Sequence, residues 1–291
     1  MNITACSARF LMLLLMASAA LAPAADPALH APADGDSDAI VPLTAARLAI
    51  MEDFETTAVG DIPKGFTKTG AVAVVAGVSH SGDKSLRMEA ATNGPRRITM
   101  QGPPITALGG QHWGRLFFKV QLPAPTPHGA GNFPVIHSTL VAGSAQSPLF
   151  KDAIEVRVLD TVLGPKGTYQ YIYNVQPRKR PEFATGSKYL YQYSAEWTLA
   201  EWYVDFKTQT YRLFIEGKEI PDAALHKGEG NFTGAEIPEV FESLSFGWNN
   251  YQGAGTGFVS WIDDIAVGKD RIGAQIVQTP GSKAKKSAAS P

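Results

Sequence analysis

The sequence predicts an all-β protein built of two packed antiparallel sheets, and three observations carry that prediction. Short runs of β-branched and aromatic residues recur between Gly, Pro, Asn and Asp positions, the pattern of strands and tight turns. Helical periodicity is confined to one short candidate, residues 45–51. The 28 Gly and 20 Pro in 291 residues supply turns, while 44% hydrophobic and 18% charged residues exclude a disordered chain or a coiled coil. There is no βαβ rhythm, no Walker loop and no GxGxxG, which sets aside the nucleotide-binding architectures.

Taken in chain order, Arg9, the apolar run Phe10 to Leu21 and the small-residue stretch Ala22-Pro23-Ala24-Ala25 read as a secretory signal peptide over residues 1–25. The run is too short to cross a bilayer, and no later stretch approaches the roughly 20 apolar residues that a membrane helix needs. The expected location is therefore secreted or periplasmic, with no membrane association after cleavage. Residues 26–46, rich in Ala, Pro and Asp, read as a flexible spacer, and residues 276–291, carrying Lys283, Lys285 and Lys286, as a flexible basic tail. The folded domain is expected at 47–275. Cys6 is the sole cysteine and leaves with the signal peptide, so no disulfide holds the exported chain.

Within the domain, strands are expected at Ala71 to Val75, Ser85 to Ala90, Ile98 to Gln101, Leu116 to Gln121, Val135 to Val141 and Ile154 to Leu159. Further strands are expected at Thr168 to Val175, Tyr189 to Tyr193, Ala200 to Phe206, Tyr211 to Ile215, Ser243 to Trp248 and Phe258 to Val267. Balanced charge, 26 Lys and Arg against 27 Asp and Glu, gives no dense basic face, so nucleic acid is not an expected partner.

All nine tyrosines lie at or after Tyr169, and six form two alternating stripes, Tyr169/Tyr171/Tyr173 and Tyr189/Tyr191/Tyr193. Alternate residues of a strand share a face, so each stripe puts its rings on one side. Between the stripes lie Arg178, Lys179 and Arg180. Phenol rings offer a flat surface to a sugar, and a basic rim suits one carrying carboxylates. The other reading is that the rings fill a sheet face or the core between sheets.

Two acidic segments, Glu52-Asp53-Phe54-Glu55 and Trp261-Ile262-Asp263-Asp264, stand at opposite ends of the domain. If the first and last strands meet, a carboxylate from each plus carbonyls from the loop His80 to Ser85 would make an oxygen cage for Ca²⁺; the alternative is exposed acids that bind nothing. The histidines form no HExxH or HxH, so zinc and copper are not signalled. No GxSxG is present, and the candidate glycosidase carboxylates Glu155, Glu196, Glu201 and Glu242 form no close cluster. Arg157 and His137 are polar residues on apolar strands, satisfied core residues or partners in a site.

Asp53-Phe54-Glu55, His80-Ser81-Gly82 with Ser85-Leu86, Phe246-Gly247-Trp248, Tyr251-Gln252-Gly253, Trp261 to Asp264 and Arg271-Ile272-Gly273 together resemble the core of the fungal cellulose-induced secreted protein, which is similar to the glucuronan lyases of polysaccharide lyase family twenty. The resemblance runs from about Met51 to Gly273. It implies a concanavalin-like β-jelly roll with a concave glycan cleft and a structural Ca²⁺ held by the carboxylates of Glu55 and Asp263 and the main-chain carbonyls of Ser81 and Lys84. It also implies that Arg157 is a cleft arginine and that Trp248 and Tyr251 line the cleft. The tyrosine-rich stretch and the basic loop 177–181 have no place in that pattern.

The leading expectation is a monomeric, secreted polysaccharide-active protein that cuts a uronic-acid polymer by β-elimination. Arg157 would neutralise the substrate carboxylate, His137 would be the base, Tyr171 or Tyr173 the acid, and Tyr169, Arg178, Trp248 and Tyr251 would bind the chain. The alternatives are a non-catalytic carbohydrate-binding protein of the same fold, a hydrolase using a Glu pair, and an adhesion or coat protein. The lyase expectation requires Arg157, His137 and the Tyr169 stripe to meet in one groove.

Overall fold

The computed structural model describes residue 40 and residues 47–122, 137–229, 235–251 and 257–275. The expected signal peptide and basic tail, and the spacer apart from Ile40, lie outside the described residues.

Among the described residues sixteen strands run in chain order: β1 Leu48–Glu52, β2 Thr67–Thr69, β3 Val72–Ala76, β4 Lys84–Ala91, β5 Gly94–Gln101, β6 Gln111–Val120, β7 His137–Gln146, β8 Ala153–Leu163, β9 Tyr169–Pro177, β10 Phe183–Tyr191, β11 Thr198–Asp205, β12 Thr210–Ile215, β13 Lys218–Glu219, β14 Leu225–His226, β15 Phe241–Tyr251 and β16 Phe258–Gly268. One four-residue helix, Pro103–Thr106, lies between β5 and β6. The strands pair antiparallel into a nine-stranded sheet, β13-β12-β11-β6-β16-β4-β3 with β1 added to β16 and β14 to β12, and a seven-stranded sheet, β10-β9-β8-β7-β15-β5-β2. Each strand expected from the sequence overlaps an observed one, although residues 135–136 of one lie outside the described residues and the one expected at Tyr189 to Tyr193 is the end of β10, which stops at Tyr191; the two packed antiparallel sheets are as predicted.

The helix expected at 45–51 is instead β1. Leu48, Ile50, Met51 and Glu52 pair with Gly268, Val267, Ala266 and Ile265 of β16. An unpaired edge of β16 offers backbone hydrogen bonds and burial for Ile50, and these outweigh the weak helical preference of so short a segment. Since β4 takes Ile262 and residues before it while β1 takes Ile265 and residues after it, the two strands share one edge of β16.

One core fills the space between the sheets, with Trp202, Trp248, Tyr171, Tyr173, Tyr211 and Phe246 among its largest members. Each such ring removed from water contributes about 1.5–3 kcal/mol. Three of the buried polar tips are bonded: the Tyr173 hydroxyl donates to the Glu236 carbonyl at 2.7 Å, Tyr211 to the Val158 carbonyl at 2.6 Å, and the Trp202 indole to His112 Nε2 at 3.1 Å, whereas the Trp248 indole N–H has no partner among the described residues. In β15, Gly247 (φ 148°) is required by close approach, because a Cβ there would lie 2.3 Å from the Arg96 carbonyl oxygen of β5.

Candidate functional site

The outer face of the seven-stranded sheet, turned away from the core, is polar nearly throughout. Register places one residue of each strand in a row across it: Thr67, Thr99, Ser245, Ala142, Arg157, Asn174 and Ala184. A second row runs Gln101, Ser243, Ser144, Glu155 and Gln176. On the other side of the Arg157 row lie Asn249, Thr139 and Asp160, followed by Tyr251 paired with His137. An ordinary solvent-facing sheet would not bury such groups, yet Arg157, Asp160, Thr139, His137 and Asn174 are all buried.

These groups form one connected cluster around Tyr251. The Arg157 guanidinium carbon lies 4.1 Å from the centre of the Tyr251 ring, a cation–π contact. The His137 ring packs against Tyr251 at 4.9 Å. The Tyr251 hydroxyl donates to Glu155 Oε1 at 3.2 Å and accepts from Asn249 Nδ2 at 2.6 Å. Glu155 also accepts from Arg157 Nε at 3.0 Å and Arg97 Nη1 at 3.2 Å. Asp160 takes His137 Nε2 at 2.6 Å on one oxygen and the Thr139 hydroxyl at 2.7 Å on the other.

The electrostatics follow from this wiring. Burial would raise the Glu155 carboxyl, but its bonds to Arg157 and Arg97 outweigh that and hold it below the usual range. Burial raises Asp160, only in part opposed by His137 and Arg157. Burial, followed by the nearby Glu155 charge, pushes the Tyr251 phenol up to about 12. Arg157 is held above its ordinary value: burial would lower it, but Asp160, Tyr251 and Glu155 outweigh that. An ionised Asp160 can only accept, so it fixes the proton of neutral His137 on Nε2 and leaves Nδ1 as a lone-pair base. Among the described residues the Arg157 guanidinium makes no hydrogen bond beyond Glu155, which leaves its terminal nitrogens for an anion.

Three of the residues expected in the site thus meet: Arg157, His137 and Tyr251. The others do not. Tyr169, Tyr171 and Tyr173 of β9 point to the opposite face of the same sheet, Tyr171 and Tyr173 being 1% and 0% exposed in the inter-sheet core. The expectation that Tyr171 or Tyr173 serves as acid is corrected accordingly: alternation gives three rings one side, and that side faces the other sheet. Trp248 is likewise a core residue, 0% exposed, because Leu244, Phe246 and Trp248 of β15 face inward while Ser245 and Asn249 face outward. Arg178 and Lys179 are exposed on the turn between β9 and β10, away from the cluster on the sheet face, while Arg180 is committed to Asp152 and Glu236.

Asp160, Asn249 and Thr139 are site residues that the sequence did not single out. Period-2 reasoning puts Asp160 on the face opposite Arg157. A bulge between Arg157 and Asp160 moves both to one face, and the visible signal was only an acid inside an apolar strand.

At the junction of β1, β16 and the loop before β4, the carboxylates expected to hold calcium do converge on the 80–84 loop. Asp263 Oδ2 accepts from the backbone N–H groups of His80 (2.8 Å) and Ser81 (3.2 Å), and Glu55 Oε1 from those of Asp83 and Lys84 (2.9 Å each). Asp264 Oδ2 takes His80 Nδ1 at 2.7 Å and the Ser81 hydroxyl at 2.5 Å. Lys84 Nζ donates to the carbonyls of Glu55 and Thr57 at 2.9 and 2.7 Å. The loop therefore presents amides to these carboxylates, and among the described residues no three His, Cys, Asp or Glu side chains gather as a metal-holding group. Burial, then the adjacent Asp264 charge, raises Asp263 well above the usual carboxylate range.

Neither a protein-family model nor a curated protein matches the chain. Among solved structures it is similar to the binding domain of botulinum neurotoxin serotype G, with 10% identity over 77% of this chain and 48% of that one and a TM-score of 0.47. It is similar to the binding domain of Paraclostridial Mosquitocidal Protein 1, with 13% identity over 77% of this chain and 49% of that one and a TM-score of 0.47. It is also similar to domain 4 of AbnA, a GH43 extracellular arabinanase from Geobacillus stearothermophilus in complex with arabinotriose, with 16% identity over 77% of this chain and 93% of that one and a TM-score of 0.44. The chain spans about half the length of the two toxin binding domains.

Proposed function

We propose that the outer face of the seven-stranded sheet binds a glycan and that the Arg157, His137 and Tyr251 cluster cuts a uronic-acid polysaccharide by β-elimination. The convergence of a base, a phenol and an arginine on one polar, partly enclosed sheet face supports this reading. Arg157 receives the uronate carboxylate, which makes the adjacent C5–H acidic. His137 Nδ1 takes that proton, the C5–H electron pair becomes the C4=C5 double bond, and the C4–O4 bond breaks. Tyr251 gives its proton to the departing O4, with Asn249 and Glu155 holding the phenol in place. This replaces Tyr171 and Tyr173 as the source of the acid. The kinship with glucuronan lyases, the extracytoplasmic location and the monomeric state belong to the same proposal. A structural Ca²⁺ at Glu55, Ser81, Lys84 and Asp263 is a separate one, supported by the meeting of Glu55 and Asp263 at one loop; holding the ion requires the loop to turn carbonyls, in place of amides, toward them.

The test is incubation with glucuronan, alginate and related polymers while following the ultraviolet absorbance of the unsaturated product. A rise that Arg157→Ala abolishes supports elimination; no rise on any polymer sinks it. One observation favours a second reading, binding without cleavage: Glu155 already occupies the Nε side of Arg157. In that case affinity gels show retardation by a glycan, and no double bonds appear.

A further inference from the structure

The tyrosine-rich stretch, unused by the site above, encloses a cavity of its own. At one end of the sandwich, between the two sheets, a space of about 150 Å³ is lined by Tyr171, Tyr189, Tyr191 and Tyr193, with Glu196 and Glu216 among the polar residues on its wall. That volume is of the size that admits one six-membered ring.

The rings are organised. Tyr171 and Tyr191 stack at 4.4 Å with 9° between their planes, Tyr189 lies 6.0 Å from Tyr171, and Tyr193 is fixed by a hydrogen bond between its hydroxyl and Thr161 at 3.2 Å. The Tyr191 hydroxyl is buried beside those of Tyr193 and Thr161, and Tyr189 is 43% exposed at the entrance. The lining carries two carboxylates, Glu196 and Glu216, both solvent-exposed, against one ammonium, Lys119, so its net charge is negative; Glu216 Oε1 also accepts from the Leu199 N–H at 2.7 Å. The outer-face site, with Arg157 and Arg97, has the opposite preference.

We propose that this cavity is a second carbohydrate site, which takes a pyranose ring that is neutral or bears a free amine and rejects uronic acids. The ring's C–H face packs on tyrosine, and an amine is drawn to Glu196 and Glu216. The site is on the opposite side of the seven-stranded sheet from the Arg157 cluster, and it stands whether or not that cluster cuts or binds anything.

Calorimetric titration of the full chain with β-1,4-linked tri-glucosamine, cellotriose and an oligoglucuronate tests it. Tri-glucosamine and cellotriose bind, and Tyr189→Ala, at an exposed position, weakens both about tenfold while leaving oligoglucuronate binding unchanged. Glu196→Gln weakens tri-glucosamine more than cellotriose. The proposal is overturned if neither neutral nor amine-bearing trisaccharide binds, if Tyr189→Ala and Glu196→Gln leave their binding unaltered, or if oligoglucuronate competes for the same site.

Discussion

Arg157 lies over the face of Tyr251, its guanidinium carbon 4.1 Å from the ring centre, and both side chains bond to the same oxygen of Glu155. Arg157 opposes, without overcoming, the rise that burial and Glu155 impose on the phenol, and the shared carboxylate orients it. In the proposed elimination, Tyr251 would be a proton donor whose position is set by charge.

Tyr251→Phe keeps the ring under Arg157 and removes the hydroxyl, with its bonds to Glu155 and Asn249. The expected result is a fall in kcat on the order of 10²-fold with glycan affinity changed less than about threefold, read by steady-state kinetics and affinity gels. Because burial and Glu155 put the phenol at about 12, it stays protonated across the working range, so the rate–pH profile should show no alkaline fall from this group below about pH 11.

Asp160→Asn should cost activity by about 10²-fold or more without unfolding the sheet, since an amide no longer fixes the His137 proton on Nε2. Added imidazole should restore part of the activity of His137→Ala but none of that of Asp160→Asn. Rescue of both would show that Asp160 does not act through the ring.

Tyr173 is a core residue, so its substitution should read out in stability. Tyr173→Phe loses the bond to the Glu236 carbonyl, worth about 1 kcal/mol, and should lower the Tm by roughly 2–4 °C while leaving cleavage rates intact. A specific loss of kcat with an unchanged Tm would return Tyr173 to the catalytic set.

If calcium binds at Glu55 and Asp263, adding chelator to a sample held at about a hundredfold excess over Kd should lower the Tm by about 5 °C or more, and Asp263→Ala should abolish that sensitivity. A Tm that chelator does not move rejects the ion.

Glu52 is buried at the end of β1, and burial, with a further push from Asp53, raises its carboxyl from 4.5 to about 7 despite the hydrogen bond from the Phe54 N–H. A folded-state value above the unfolded one means that its contribution is fully present below about pH 4.5 and is lost as pH rises through about 7. Glu52→Gln should therefore raise the Tm at pH 8, by an amount corresponding to at most about 3 kcal/mol, and change it little at pH 4.5. Equal shifts at both pH values would contradict this.

The strands were legible because β-branched and aromatic runs between turn residues encode extended backbone wherever they lie. Which face a stripe presents was not, since alternation at Tyr169, Tyr171 and Tyr173 says that the rings share a side and is silent on whether that side meets water or a second sheet. The site was half legible: Arg157 and His137 stood out as polar groups on apolar strands, and Tyr251 through its motif. Asp160 was hidden by a bulge, which changes the spacing between residues of one face from two to three and leaves no mark in composition. At β1 the helical preference of residues 45–51 counts for little, because the exposed edge of a strand more than 200 residues away decides the conformation of Leu48–Glu52.

The placement of β15 and β16 sets the order in which this protein can be assembled during synthesis. β15 is the strand that joins β7 to β5, and β16 the strand that joins β6 to β4. Until the ribosome has delivered residues 241–268, each sheet exists as two unconnected halves, and the Arg157 cluster lacks Asn249 and Tyr251. The pairings that close both sheets must therefore wait for residues 241–268, and closure that depends on such distant segments makes folding slow.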